Sequence, residues 1–304
     1  MIKVENISKS YKGVEALRGI SFEVKKGELF GLIGPDGAGK TTLMRILLTL
    51  LLPDEGSAEM GKLDVVREFR KIRRLVGYMP GRFSLYPDLT VEENLEFFAT
   101  VFGTTIDQNY HLIRAIYGQI EPFKKRLAGK LSGGMKQKLA LSCALIHQPE
   151  ILVLDEPTTG IDAVSRKEFW EMLKQLQEQA MTILVSTPYM DEADLCDRVA
   201  LMQKGRVLSV DSPANIVKKN NHRLMAARSL DMFRLTSDLR DWNAVATAYA
   251  FGQYIHVTPQ TNDLDNVGLK QYLLDHNHRE VEVLMIEPGI EDVFMALMKE
   301  EKEE

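Results

Sequence analysis

The stretch Gly34-Pro-Asp-Gly-Ala-Gly39-Lys40-Thr41 decides the fold of this chain. It satisfies the G-x-x-x-x-G-K-[ST] phosphate-loop pattern. Before it, the apolar run 29–33 predicts a buried strand, and after it a helical pattern from Thr41 stops before Pro53. Because strand, glycine-rich loop and helix in that order are the context the motif requires, we predict a phosphate-binding loop and not a glycine-rich turn without a ligand.

Each residue type in this loop has a chemical task. Glycine residues let backbone N–H groups curl around an anion, and the N-terminus of the following helix adds a favourable dipole. Lys40 reaches the terminal phosphates, and Thr41 can place a hydroxyl group on Mg²⁺. The predicted nucleotide-binding residues here are Gly34, Pro35, Asp36, Gly37, Ala38, Gly39, Lys40, Thr41 and Thr42.

Two carboxylates follow a second apolar run. Ile151-Leu-Val-Leu-Asp155-Glu156 places both at the carboxyl end of a buried strand, where open parallel sheets collect their ligands. We expect Asp155 to hold the metal ion together with Thr41, and Glu156 to act as a general base or to position the attacking water. The predicted catalytic residues are therefore Glu156 and Lys40.

A second anion-binding helix end lies between these two motifs. Leu131-Ser-Gly-Gly-Met-Lys-Gln137 opens a predicted helix that Ser132 can cap, while Gly133 and Gly134 leave its amides uncovered. Two phosphate-binding devices in one chain make sense if two chains pair so that the loop of each faces the helix end of the other. We therefore add Ser132, Gly133 and Gly134 to the predicted nucleotide contacts and predict a dimer of identical or different chains.

Taken together, these segments resemble the phosphate loop, signature and acidic strand of ABC ATPases, and the resemblance extends over residues 1–212. It implies ATP and Mg²⁺ as ligands. It also implies an α/β fold of the P-loop NTPase type: a RecA-like core with an antiparallel β subdomain and a helical signature subdomain, about residues 83–148, that docks on a permease. Tyr11 matches the aromatic residue that stacks on adenine, although a tyrosine at a strand end is also common in plain hairpin packing. Asp162 matches the aspartate that links the two nucleotide sites.

The pattern changes near Pro213 to a small α/β domain over residues 213–304. We predict strands near 232–235, 253–257 and 280–285, with helices at about 238–249, at 265–275 and from Ile290. Within this domain, Glu287-Pro-Gly-Ile-Glu-Asp-Val-Phe294 resembles the carboxy-terminal element of daunorubicin-type drug and antibiotic exporters. A Pro-Gly turn followed by an ordinary amphipathic helix explains the same residues without a role in transport.

Two positions depart from the ABC pattern. After Tyr78-Met-Pro80, the family has a glutamine that touches metal and water, and this chain has Gly81. After Val185-Ser-Thr187, the family has a histidine that contacts the terminal phosphate, and this chain has Pro188. Loss of one positioned donor costs about 10² to 10³ in rate, so the two departures predict ATP binding with slow hydrolysis. The intact signature could then complete the site of a non-identical partner.

Composition and charge limit the alternatives. The 304 residues are 45% hydrophobic and 27% charged, which is typical of a folded globular protein. A net charge of -5 argues against nucleic acid as the main partner. A local basic run is typical of a solvated helix face, with contact to anionic lipid or a partner as the alternative. Its members are Arg67, Arg70, Lys71, Arg73 and Arg74.

The cysteines and the longest apolar stretch bear on location. Cys143 and Cys196 lie in apolar segments without metal-ligand spacing or a secretory leader, which fits a reducing cytoplasm. The apolar stretch 46–52 is far shorter than the roughly 18 residues that cross a bilayer. We therefore expect a peripheral protein that binds the cytoplasmic face of the membrane through a separate permease.

The sequence thus predicts the ATP-hydrolysing subunit of an ABC exporter. Two other classes stay open. An ATP-gated, non-catalytic or regulatory ABC partner is suggested by Gly81 and Pro188. A soluble ABC protein without a permease is disfavoured by the net acidity and by the lack of a second ATPase unit or a long coiled coil.

Overall fold

The computed structural model describes residues 1–219, 223–261 and 263–303, with side chains up to Met298. These residues form two compact units, Met1–Pro213 and Ala214–Glu304.

The strands, in chain order, are β1 (Ile2–Tyr11), β2 (Val14–Val24), β3 (Leu29–Ile33), β4 (Glu55–Met60), β5 (Leu63–Asp64), β6 (Val76–Met79), β7 (Ile151–Asp155), β8 (Thr182–Thr187), β9 (Arg198–Gln203), β10 (Arg206–Asp211), β11 (Leu224–Arg228), β12 (Val245–Phe251), β13 (Tyr254–Pro259) and β14 (Glu282–Ile286). The α-helices are α1 (Lys40–Leu47), α2 (Phe69–Leu75), α3 (Val91–Val101), α4 (Ile106–Tyr117), α5 (Gly133–Leu145), α6 (Ala163–Glu178), α7 (Pro213–Lys219), α8 (Met232–Asp241), α9 (Asn266–Asp275) and α10 (Ile290–Glu303). Short 3₁₀ helices cover Glu121–Phe123, Ala128–Lys130 and Met190–Leu195.

The first unit is built on a six-stranded sheet with the order β10-β9-β3-β8-β7-β6. Strands β9, β3, β8, β7 and β6 run parallel, and β10 is antiparallel to β9 at one edge. Every residue of β3, β7 and β8 is buried, because helices and a second sheet cover both faces. The parallel pairing brings the carboxyl ends of β3, β8, β7 and β6 to one edge of the sheet in that order, and this edge carries the candidate site.

A second, antiparallel sheet has the order β2-β1-β4-β5. Its buried residues, among them Ile2, Val4 and Ile7 of β1, share one hydrophobic core with Phe30 and Leu32 of β3. The antiparallel β subdomain that the resemblance implied is therefore packed on the parallel core.

Glycine residues allow three backbone segments to meet beside the phosphate loop. In the turn between β9 and β10, Gly205 N donates to Ala38 O at 3.1 Å, and Arg18 N donates to Gly205 O at 2.8 Å. A Cβ atom on Gly205 would lie 2.7 Å from Ala16 O, and its φ is +79°. Only glycine fits this position without displacing backbone.

The segment between β6 and β7 is helical, as predicted. Thr90 and Glu93 form a capping box at the start of α3, and Thr105 and Gln108 form one at the start of α4. Asn94 is fully buried, and its amide group donates to the carbonyl groups of the preceding loop, which ties that loop to α3. These contacts make the segment a compact subdomain.

The second unit has the element order β11-α8-β12-β13-α9-β14 and the sheet order β12-β13-β11-β14, all antiparallel. This is the split βαβ, or ferredoxin-like, connectivity. Residues of one sheet face, including Ala227 and Val257, pack against Leu235 of α8 and Leu269 of α9. Helix α10 lies on the opposite face of the sheet. Tyr249 of β12 donates to Met295 O at 3.4 Å, and His256 of β13 pairs with Asp292 at 2.7 Å. Both side chains alternate along their strands with the residues that face α8 and α9, so they point to the other face.

Several sequence predictions for this unit are wrong. Residues 232–235 begin helix α8, not a strand, because Asp231 caps a turn of helix and Leu235 and Leu239 lie on its buried face. Residues 245–249 form part of strand β12 and not a helix, because pairing with β13 outweighs the helix propensity of its alanines. Strand β11 was not predicted. The predicted helices at 265–275 and from Ile290 are confirmed.

Two further predictions can be compared with the first unit. Helix α1 ends at Leu47, earlier than the predicted stop before Pro53, because Thr49 adopts a left-handed conformation with φ of 62°. The basic run is partly tethered: Lys71 pairs with Glu68 at 2.9 Å, and Arg73 Nε donates to Thr49 Oγ1 at 2.9 Å. Among the described residues, no helix is both long and apolar enough to cross a membrane.

Gly205→Ala should destabilise the first unit by roughly 1 to 3 kcal/mol, because the added Cβ strains the backbone and meets Ala16 O. Gly13→Ala is the matched control: φ is +85° there as well, but nothing lies within 4 Å of the added atom. Urea unfolding followed by circular dichroism gives both values. Equal unfolding midpoints for the two variants would mean that the close approach of Gly205 to Ala16 O contributes nothing to the free energy of unfolding.

Candidate functional site

The phosphate loop joins β3 to α1 and depends on close backbone approach. A Cβ on Gly34 would lie 2.2 Å from Met202 O, and one on Gly39 would lie 2.6 Å from Ala16 O. Gly39 is also the N-cap of α1, with φ of 101° and no side-chain capping bond. The first amide groups of α1 therefore have no side-chain acceptor, which suits the binding of an anion.

Lys40 is held inside the loop that it serves. Its side chain is 3% exposed, and Nζ donates to Gly34 O at 2.7 Å and to Pro35 O at 3.1 Å. Glu156 Oε1 lies 3.3 Å from the same nitrogen. A buried ammonium group needs such partners, and a bound phosphate would have to compete with Glu156 for it.

Asp155 lies at the end of β7, 5% exposed, and two hydroxyl groups donate to its Oδ1. Thr41 Oγ1 lies 3.2 Å away and Ser186 Oγ 2.7 Å away. Hydroxyl and carboxylate oxygens are the ligands that Mg²⁺ prefers, so Thr41 and Asp155 fit a magnesium site. Among the described residues, no group of three or more His, Cys, Asp and Glu side chains could hold a metal ion.

Glu156 has an unusual backbone conformation, with φ of 50°. Its N–H lies 3.0 Å from Ser186 Oγ and 3.1 Å from Ser186 O. A positive φ is costly for a residue other than glycine and persists where the surroundings hold it, commonly at functional sites. Here it turns the chain sharply after β7 and leaves the Glu156 carboxylate beside Lys40.

Ser186 is a site residue that the sequence reasoning missed. It is fully buried, lies opposite Asp155 in the parallel pairing of β7 and β8, and contacts both predicted carboxylate residues. The available signal was a small hydroxyl residue in the apolar run of β8, one residue before that strand ends. That signal becomes visible only once the register is known.

Tyr11 is 43% exposed and is the last residue of β1, directly before a tight turn with Lys12 at φ 46° and Gly13 at φ 85°. It lines a cleft together with much of the phosphate loop. The other residues lining this cleft are Val14, Glu15, Ala16, Arg18, Asp36, Gly37, Ala38, Gly39, Lys40, Thr41, Thr42, Glu156 and Lys204. The cleft thus joins an exposed aromatic ring, bare helix amides and the Lys40–Glu156 pair, groups that suit a ligand with an aromatic base and phosphates.

The signature residues lie apart from this cleft. Ser132 caps α5 by accepting from Met135 N at 3.4 Å, and among the described residues neither Ser132 nor the two glycines line the nucleotide cleft. A Cβ on Gly134 would lie 2.5 Å from Ser165 Oγ, so the start of α5 packs directly on the start of α6.

Asp162 caps α6, and its Oδ1 accepts from Ser165 N at 3.0 Å and from Val164 N at 3.1 Å. The hydrogen bonds from Ser165, backbone first, lower the pKa of Asp162 below its usual value. Gly133 and Ile161 are also close, since a Cβ on Gly133 would lie 3.3 Å from Ile161 Cγ2. The signature end and the loop of residues 160–162 are therefore parts of one packed junction.

Gly81 and Pro188 flank the acidic strand. Gly81 follows β6, and a Cβ there would lie 2.8 Å from Asp155 O, so the backbone at residue 81 packs against the end of β7. Pro188 follows β8, whose last residue Thr187 accepts from Gly34 N at 3.3 Å. The positions that lack the expected glutamine and histidine thus follow β6 and β8, the two strands that pair with β7. Thr187 Oγ1 accepts from Tyr189 N at 3.1 Å, and a 3₁₀ helix begins at Met190.

An apolar groove lies between the parallel core and the helical subdomain. It is lined by Leu50, Phe98, Phe102 and His147, among others, and by Tyr78, Met79 and Pro80 just before Gly81. Burial, with a smaller contribution from the Asp155 charge, raises the pKa of Tyr78 to about 12, so this tyrosine stays neutral. Leu50 is 57% exposed and Phe102 37% exposed, which leaves large apolar side chains uncovered in this part of the chain.

Comparison with known proteins agrees with this geometry. Residues 17–159 match the family model described as ABC transporter. Two solved structures share the fold of about 70% of the chain. A dimeric ATP-binding cassette bound to ADP and phosphate has a TM-score of 0.63 and 28% identity, covering 70% of this chain and 98% of that one. CbiO1 of Clostridium perfringens, part of an ABC transporter complex, has a TM-score of 0.65 and 28% identity, covering 72% and 91%.

Three curated relatives are similar in sequence. The probable multidrug ABC transporter ATP-binding protein YbhF of Escherichia coli K12 is 42% identical over 236 residues, 76% of this chain, which spans only 40% of that protein's length. The Nod factor export ATP-binding protein I of Burkholderia orbicola is 40% identical, covering 71% of this chain and 72% of that one. The linearmycin resistance ATP-binding protein LnrL of Bacillus subtilis is 36% identical, covering 72% and 71%. These relatives confirm the resemblance to the exporter branch, and the chain belongs to the ATP-binding proteins of the ABC transporter family.

Proposed function

We propose that this chain binds Mg²⁺ and ATP and energises a separate membrane permease in an ABC exporter, with slow hydrolysis at its own site. The observation that carries the proposal is the convergence of Lys40, Thr41, Asp155 and Glu156 at the carboxyl ends of β3 and β7. The relatives named for multidrug transport, Nod factor export and linearmycin resistance support the direction of transport.

In this proposal, each side chain has one task. Lys40 binds the terminal phosphates, Tyr11 stacks on the adenine, and Thr41 and Asp155 hold Mg²⁺. The metal ion, when bound, neutralises charge on the phosphates. Ser186 positions Asp155 through its 2.7 Å hydrogen bond, and Glu156 positions the attacking water or accepts its proton.

Hydrolysis would be slow because of Gly81 and Pro188. Neither residue has a side-chain donor, and proline also lacks a backbone N–H. Gly81 packs against the end of β7 and Pro188 follows the end of β8, at the positions where the family pattern places a glutamine and a histidine. If each missing donor costs about 10² to 10³ in rate, binding survives while turnover becomes very low.

The separation of Ser132, Gly133 and Gly134 from the nucleotide cleft supports a head-to-tail dimer. The signature of one chain would then cover the phosphates bound by the other. Because this chain keeps its signature but lacks two groups of its own site, a partner with a complete site would give an asymmetric pair. A second copy of this chain is the alternative partner.

The apolar groove next to Gly81 is the proposed docking site for the permease. Uncovered Leu50 and Phe102 favour contact with an apolar helix of the partner, and Pro80 leads from the groove to the sheet edge. Binding there would place the chain at the cytoplasmic face of the membrane.

The slow-turnover proposal is tested by steady-state phosphate release from the isolated chain. We expect a rate below roughly 10⁻² s⁻¹, because typical enzymes turn over at 1 to 10³ s⁻¹ and two donors are missing. Pro188→His should raise the rate by about tenfold or more. Adding Gly81→Gln to this variant should not raise the rate further. The Cβ atom of the new side chain would lie 2.8 Å from Asp155 O, so the side chain fits only if backbone shifts. Brisk hydrolysis by the unmodified chain, abolished by Glu156→Gln, would refute slow turnover.

Glu156→Gln should tighten ATP binding by roughly three- to tenfold, because ATP no longer has to displace a carboxylate from Lys40. The matched control is Glu28→Gln, which neutralises a different ion-paired carboxylate, 3.3 Å from Arg198 and outside the nucleotide cleft. Fluorescent-nucleotide titration gives both affinities. Unchanged or weaker ATP binding by the Glu156 variant would contradict the proposed competition between ATP and Glu156 for Lys40.

Ser186→Ala should weaken ATP binding about tenfold or more, but only with Mg²⁺ present, because Asp155 loses the hydroxyl group that orients it. Ser142→Ala is the control: this serine is equally buried and donates to Lys138 O at 2.8 Å, within α5. Nucleotide titrations with and without Mg²⁺ separate the two effects. An equal loss without Mg²⁺ would assign Ser186 a purely structural role.

A further inference from the structure

A cleft between α6 and the 3₁₀ helix Met190–Leu195 contains two unpaired polar groups. Among the described residues, five buried side-chain polar atoms lack a hydrogen-bond partner, and two of them belong to residues that line this cleft: Trp170 Nε1 and Glu192 Oε2. Trp170 is 3% exposed and Glu192 1% exposed. A buried donor or acceptor without a partner is unfavourable, so a ligand that supplies both partners would gain affinity from both atoms.

The two atoms need opposite partners. The indole N–H is a donor only, and a carboxylate oxygen is an acceptor only. The other oxygen of Glu192 is already used, since Oε1 accepts from Thr158 Oγ1 at 2.8 Å and lies 3.7 Å from Arg166 Nε. These contacts hold the carboxylate in place, and they leave Oε2 for a further donor.

The charges around the cleft do not select an ion. Three cationic and four anionic side chains line it. Most are paired with one another or with a neighbour: Arg166 with Asp191, Lys167 with Glu171 at 4.0 Å, and Lys174 with Asp197 at 3.7 Å. Leu195, which is 39% exposed, adds apolar surface, and the edge of the nearly buried Trp170 lies in the same lining. The lining thus favours an uncharged ligand with one donor, one acceptor and an apolar group.

A peptide amide has these properties. We propose that this cleft binds an extended, uncharged polypeptide segment, whose C=O accepts from Trp170 Nε1 and whose N–H donates to Glu192 Oε2, with an apolar side chain against Trp170 and Leu195. Both atoms are covered in this structure, so the proposal requires their cover to move aside on binding. The site lies outside the nucleotide cleft and does not depend on ATP binding.

The test is ¹H–¹⁵N NMR of the intact chain without nucleotide, with N-acetyl-leucine N-methylamide as the probe. The chain has two tryptophans, so Trp242 of the second unit, stacked on Tyr272, is an internal control. We expect a saturable downfield shift of the Trp170 Nε1–H resonance and no shift for Trp242. A dissociation constant on the order of 1 mM is expected for a probe of this size.

Two variants and two further probes test the assignment. Trp170→Phe removes the donor, and Glu192→Gln keeps an oxygen for Thr158 but places an N–H₂ group where the ligand donates. Each substitution should weaken binding of the probe about tenfold or more. Because Trp170→Phe removes the indole resonance, binding to that variant is followed through the probe's own signals. The diester analogue of the probe, which lacks both N–H groups, should also bind about tenfold more weakly or worse.

Three results would overturn the proposal: no saturable shift at the solubility limit of the probe, equal binding of the diester, or unchanged affinity in both variants. The dipeptide alanyl-leucine distinguishes a free peptide from an internal segment, because its termini are charged. Tighter binding of this dipeptide than of the capped probe would likewise overturn the assignment to an internal polypeptide segment. Because both substitutions lie in the first unit, retained dispersion of that unit's backbone amide resonances reports that each variant has folded.

Discussion

The parallel pairing of β7 with β8 is the constraint on which the rest of the site depends. It places Asp155 opposite Ser186, and the Ser186 hydroxyl group then contacts Asp155 Oδ1 at 2.7 Å and Glu156 N at 3.0 Å. Through these bonds the strand end fixes one carboxylate toward Thr41 and turns the next toward Lys40. A shift of this pairing by one residue would turn Asp155 to the opposite face of the sheet and separate it from Ser186 and Thr41.

The same edge explains why the two departures from the family pattern matter together. In the order β3, β8, β7, β6, the acidic strand lies between the strand that ends before Pro188 and the strand that ends before Gly81. The fold tolerates both residues: Pro188 follows the end of β8, and Gly81 allows its backbone to approach Asp155 O. They lack the side-chain donors that the family pattern has after the two strands that pair with β7. In the proposed function, nucleotide binding and turnover are therefore separate quantities, and each must be measured.

Close packing also links regions of the first unit that carry different tasks. The signature end of α5 packs on the capped start of α6, and the loop between β7 and α6 contains both Thr158 and Asp162. Thr158 in turn holds Glu192 beside the cleft proposed for a polypeptide segment. A change at Glu192 therefore reaches the loop that follows Glu156 by a single hydrogen bond.

The sequence by itself determined the chemistry of the site and the class of the fold. The motifs from Gly34 to Thr41, from Leu131 to Gln137 and at Asp155–Glu156 impose their structure locally, through glycine conformations, a helix cap and an apolar strand, so each could be predicted from a few adjacent residues. The departures at Gly81 and Pro188 were visible for the same reason.

Only the tertiary structure decided the rest, because it depends on residues distant along the chain. The role of Ser186 needs the register of two strands, and the separation of the signature from the nucleotide cleft needs the packing of the helical subdomain. In the second unit, 232–235 and 245–249 were assigned to the wrong elements, since short apolar runs fit either period until a partner strand or a buried helix face selects one. The unpaired Trp170 and Glu192 atoms were invisible in the sequence, where both residues look like ordinary helix positions. Local patterns specify which groups are available, and long-range packing decides which of them meet.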